Sequence, residues 1–73
     1  MRNGNDWQSP SSKEAEELLR CLKTEEGESY IGRASRLLGI EKGRKRIMNI
    51  LNGNVKMSRP EYQFFNDIVN GEK

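Results

Sequence analysis

The glycines at 39, 43 and 53 interrupt an otherwise helical run of apolar residues, and these interruptions constrain the fold more than any other feature of the chain. Ahead of the first, Ile31, Ala34, Leu37 and Leu38 fall at i, i+3, i+6 and i+7, one face of a short helix from about Tyr30 to Leu38 with Ser29 as its N-cap. Gly39 ends that helix, and Ile40 can fold back onto its apolar face. Glu41-Lys42-Gly43 reads as a turn. A further helix from about Arg44 to Leu51 then buries Ile47, Ile50 and Leu51, and Asn52-Gly53 supplies a left-handed ending.

The flanking segments extend this pattern to an all-α domain. Ser11 or Ser12 can cap a helix running to about Thr24, with Glu14, Glu16 and Glu17 near the positive end of its dipole and Ala15, Leu18, Leu19 and Leu22 as its apolar stripe. Glu25-Glu26-Gly27-Glu28 breaks it. Ser58-Arg-Pro-Glu61 matches a capping box, and the helix it opens should reach about Asn70. That helix carries Tyr62, Phe64, Phe65, Ile68 and Val69, more apolar residues than one narrow stripe needs. Turning Phe65, Ile68 and Val69 inward leaves Tyr62 or Phe64 partly exposed, so Tyr62, Phe64 and Phe65 are the candidate dimer contacts. Residues 54–57 could run extended, but no alternating pattern is long enough for a strand. The expected fold is a compact all-α bundle of four or five short helices, with residues 1–10 as a flexible arm, 11–70 as one domain and 71–73 as a tail. Trp7 within the arm should plug the core surface or form part of a contact site.

Composition narrows the function. At 73 residues, with 33% hydrophobic and 33% charged side chains, the chain has room for one small core and no deep catalytic cleft. The single cysteine, Cys21, cannot form an internal disulfide, and without histidine there is neither a Cys/His metal site nor a base to activate a thiol. The paired acids Glu16-Glu17 and Glu25-Glu26 lie on exposed or turn segments, with no pocket to perturb them. An enzyme, a cofactor and a small-molecule substrate are therefore not expected. Nor is a membrane partner, because no apolar run approaches the ~18 residues of a span and the N-terminal residues lack a signal-like apolar core, which points to the cytoplasm.

Charge is unevenly spread. The net charge is +2, yet residues 28–59 hold eight Lys/Arg against two acids, while the segments before and after are acidic. Positive charge gathered on one compact element is the footprint of a nucleic-acid binder.

Residues 31–53 resemble the helix-turn-helix of the phage Cro and repressor (XRE-like) class. Ala34 and Ser35 match its small residues, Gly39 its turn glycine, Ile40 the apolar residue after it, and Ile47 and Ile50 its anchors on the second helix. The interval from Gly39 to Ile47 is about two residues longer than in that class, so the turn would be extended or the following helix delayed. Small phage regulators encoded beside anti-CRISPR genes show a similar run of basic helix, loop and Arg-Pro-aromatic final helix.

The resemblance implies a sequence-specific regulator of transcription, a phage-type repressor, that inserts the helix around Arg44 to Leu51 into the major groove. Lys42, Gly43, Arg44, Lys45, Met48 and Asn49 would then face base edges, with Arg46 reading a base or holding a phosphate. Arg33, Arg36, Lys56 and Arg59 would hold phosphates. Asn52 resembles the phosphate-contacting asparagine of the class and can equally act as a helix cap. One small domain makes few base contacts, so a homodimer on a palindromic double-stranded DNA operator is expected. The alternative is a small phage inhibitor that uses the same scaffold to bind a host protein or ribonucleoprotein.

Overall fold

The computed structural model describes residues 7–72. Its elements are α1 (Ser12–Arg20), α2 (Tyr30–Leu38), α3 (Ile40–Leu51) and α4 (Arg59–Gly71), with no strand among the described residues. The all-α bundle of four helices expected from the sequence is the observed fold. No helix among the described residues is long and apolar enough to cross a membrane. Residues 1–6 of the expected arm, the terminal residue 73 and the side chain of Ile40 lie outside the described set.

Each helix starts where a serine can accept a backbone N–H, except α3. Ser11 accepts from the N–H of Glu14 and Glu14 returns a bond to the N–H of Ser11, a capping box the sequence reading did not assign. Ser29 accepts from Gly32, and Ser58 with Glu61 forms the capping box expected at α4. α1 is shorter than the run to Thr24. It stops at Arg20, after which Leu22 drops into the core.

The join between α2 and α3 corrects the expected turn. Glu41, Lys42 and Gly43 are not a turn but the first turn of α3, which begins four residues earlier than Arg44. Gly39 alone reverses the chain, with φ +105°, a conformation side-chain-bearing residues rarely adopt. Gly43 makes so short a join possible. A Cβ at this position would sit 2.4 Å from the carbonyl oxygen of Ser35 and 3.0 Å from Cβ of Leu38, so α3 lies directly on the α2 backbone. Spacing alone does not reveal this, because a glycine within a basic run reads equally well as a turn. The Asn52-Gly53 ending is as expected, with Gly53 at φ +82°.

The core gathers Ala15, Leu19 and Leu22 from the α1 region, Ala34 from α2, Ile47 and Ile50 from α3, and Phe65 and Val69 from α4. Met57 joins them fully buried from the loop before α4, where the sequence suggested only an extended segment. α1 contacts the other three helices and serves as the central strut. Ser35, the one buried polar residue among those described, donates its hydroxyl to the Ile31 carbonyl at 2.7 Å and so enters the helix crossing without an unmet hydrogen bond. Trp7 packs against Tyr62 of α4, ring centroids 5.3 Å apart, and lines a groove with Leu18 of α1.

Candidate nucleic-acid interface

The basic segment divides into two sets of cations. In the first, each arginine is bound to a carboxylate. Arg36 makes two 3.0 Å bonds to Glu28. Arg33 donates to Glu72 at 2.9 Å and to the Lys23 carbonyl, while Glu72 also accepts the N–H of Lys23, so α2, the α1–α2 loop and the end of α4 are tied at one node. Arg46 forks onto Glu61 at 2.9 and 2.7 Å and reaches the Lys56 carbonyl at 3.2 Å, clamping α3 to the start of α4. Such bidentate pairs fix geometry as well as charge.

The carboxylates register these bonds. The two hydrogen bonds from Arg46 dominate the environment of Glu61; with the Ser58 capping bonds they outweigh its partial burial and hold its carboxyl down at about 2. Glu28 is lowered chiefly by Arg36, and Glu72 chiefly by the Lys23 N–H, with Arg33 adding to it.

The second set lies on α3. Lys42, Arg44 and Lys45 are exposed and have no carboxylate partner among the described residues. Gly43, Ile47 and Ile50 take the inner side of the helix, and helical spacing carries Lys45, Met48 and Asn52 to the outer side, with Arg44 and Asn49 flanking them. Met48 is 37% exposed, and Glu41 is the acid on this face. The Asn49 backbone carbonyl accepts the N–H groups of Asn54 and Val55, which anchors the helix exit beneath its side chain.

Several expected contacts are therefore moved. Gly43 is buried against α2 and cannot face a groove. Arg46 is committed to Glu61 and does not stand among the base-reading candidates. Arg33 and Arg36 are held by Glu72 and Glu28, and helical spacing turns them from the Ser35–Leu38 side of α2 that carries α3, so they do not share a face with Lys45. Phe65 is 0% exposed and cannot serve as a dimer contact as placed, and Tyr62 is half-buried under Trp7. Phe64 is 41% exposed, with its ring edge-on to Phe65. Lys56 and Arg59 lie exposed in the loop and at the start of α4, and Asn52 is the exposed C-cap of α3.

The sequence reading missed Glu28, Glu61 and Glu72 as arginine partners. Glu61 carried a signal, its place in a capping box, although that box says nothing of Arg46. Glu28 is eight residues from Arg36 and Glu72 is 39 from Arg33, separations no helical rule anticipates.

Fold and side chains together define a small all-helical domain whose third helix carries exposed cations with no carboxylate partner among the described residues. No protein-family model, curated protein or solved structure matches the chain.

Proposed function

We propose that the protein is a sequence-specific double-stranded DNA-binding regulator that lays the outer face of α3 in the major groove. One observation carries this reading. In a domain that pairs Arg20, Arg33, Arg36 and Arg46 with carboxylates, α3 presents three cations with no carboxylate partner among the described residues, set beside two amide side chains. Uncompensated cations on a rigid helix suit a phosphate-lined groove, and an α-helix fits the major groove of B-form DNA.

Arg44 and Lys45 are the residues for guanine O6 and N7, Asn49 and Asn52 for adenine or for phosphate, and Met48 for the thymine methyl. Lys42 stands at the rim of this face, and Lys56, exposed in the loop before α4, is a phosphate contact that remains once Arg33 and Arg36 are assigned to the fold. Two copies on a palindromic site supply the contacts one small domain lacks.

The test is fluorescence anisotropy of the whole chain on duplex DNA drawn from its own upstream region and on scrambled duplex. The expected result is preference for the upstream duplex, with affinity falling by a log–log salt slope of about −3 for some three to four phosphates per copy. Equal, salt-insensitive or undetectable binding to both duplexes would sink the proposal.

A further inference from the structure

We infer that the groove between the end of α2 and the start of α4 is the contact through which two copies of this chain join, each inserting Phe64 into the groove of the other. The inference rests on the paired-copy reading above only in needing a second copy; the contact itself is read from the groove.

Leu37, Leu38, Pro60 and Phe64 line an open groove of about 330 Å³ with a largely apolar surface. Phe64 is one of only two large hydrophobic side chains exposed among the described residues, and Pro60 precedes it by one turn on the same side of α4. The patch is small and surrounded by polar residues, the pattern of an interaction surface.

Charge selects a second copy as the occupant. The adjoining groove shares Leu38 and Glu61 with this one and is lined by Lys42, Lys45 and Arg46 against Glu41 and Glu61, leaving one positive charge in excess. Arg46 already satisfies Glu61, so the excess falls at Lys42 and Lys45. Asp67 lies one turn beyond Phe64 on the outer side of α4, exposed and without a partner among the described residues. In a two-fold contact the α4 helices cross antiparallel at Phe64, which carries Asp67 of one copy to the start of α4 in the other, at the edge of the groove that Lys42 and Lys45 line. Each copy then gives one anion and receives one, so the patch is complementary to itself.

Sedimentation equilibrium across micromolar concentrations tests this. The wild-type chain should dimerise, and Phe64→Glu should weaken dimerisation at least about tenfold with an unchanged helical circular dichroism spectrum. Asp67→Lys and Lys42→Glu should each weaken self-association, and an equimolar mixture of the two should associate more tightly than either alone. That restoration needs the two residues to meet across the contact, which a folding defect could not mimic. A wild-type chain that remains monomeric at high micromolar concentration overturns the inference. So does undiminished dimerisation of Phe64→Glu, or a groove that instead takes an acidic amphipathic peptide while the chain stays monomeric. A monomer that still binds its upstream duplex leaves the DNA reading standing, and a dimer that binds no duplex leaves this contact standing.

Discussion

α2 and α3 are neighbours in sequence and both carry basic residues, yet they use their charges in opposite ways. On α2, Arg33 and Arg36 are bound to Glu72 and Glu28, and their positive charge is consumed in holding a loop and a helix end together. On α3, Lys42, Arg44 and Lys45 face solvent with no such partner among the described residues, while Arg46 is drawn into the fold. A count of charge along the chain treats these residues alike. What separates them is whether tertiary structure brings a carboxylate within reach, so a basic run marks a candidate surface without saying which of its members remain available.

The sharpest way to break the contrast is to unseat α3. Gly43→Ala places a methyl group 2.4 Å from the Ser35 carbonyl oxygen, where backbone must move, so a loss of about 3 kcal/mol is expected in chemical denaturation. Gly71→Ala, which meets nothing within 4 Å, should show no comparable loss and serves as the control. Equal stability of the two variants would mean that α3 does not lie directly on α2.

Next comes the free set. Replacing both Arg44 and Lys45 by Ala should leave the melting temperature within a degree or two, since neither has a carboxylate partner among the described residues, while weakening DNA binding roughly 100-fold. A variant that loses stability and keeps its affinity would reverse the assignment of the two sets.

The bound set should respond in the other sense. Arg46→Ala removes both bonds to Glu61 and leaves a half-buried carboxylate with only its capping bonds, for a loss of about 2 kcal/mol. The same pair sets an acid limit. The carboxyl of Glu61 is lowered by folding, so its contribution is complete above the ordinary glutamate range and fades as pH falls from there toward about 2. Denaturation followed between pH 6 and 2 should show wild type losing stability over that window more steeply than Arg46→Ala. Parallel curves would remove Arg46 as the cause.

These contrasts also show which parts of the structure can be read from sequence. Capping serines, the i, i+3, i+7 stripes and the Asn52-Gly53 ending are local, and each appears where its spacing puts it. The outer residues of α3 were legible for the same reason, because helix phase is set by Ile47 and Ile50. The role of Gly43 depends on α2 lying against it, the burial of Met57 on its joining a core drawn from helices elsewhere in the chain, and the loss of Arg33 from the surface on Glu72 at the far end of the chain. All three are long-range facts, and they moved residues from the surface to the fold and shifted the helix start from Arg44 to Ile40.

The finest test lies within the bound set itself. Arg36 and Arg33 each hold a carboxylate, but the Arg36 side chain is 48% exposed against 18% for Arg33, and water competes more freely for the first pair. In chemical denaturation Arg36→Ala should therefore cost distinctly less stability than Arg33→Ala, which also opens the Lys23 and Glu72 node. Arg36 is also the bound cation best placed to be recruited by an external anion, because exchanging Glu28 for a phosphate requires little burial to be undone. Under the DNA-binding proposal, Arg36→Ala then lowers affinity by less than about threefold, far short of the Arg44 and Lys45 double variant. A drop equal to that variant's would show that the ion pair with Glu28 opens on DNA and that the divide between the two helices is not fixed.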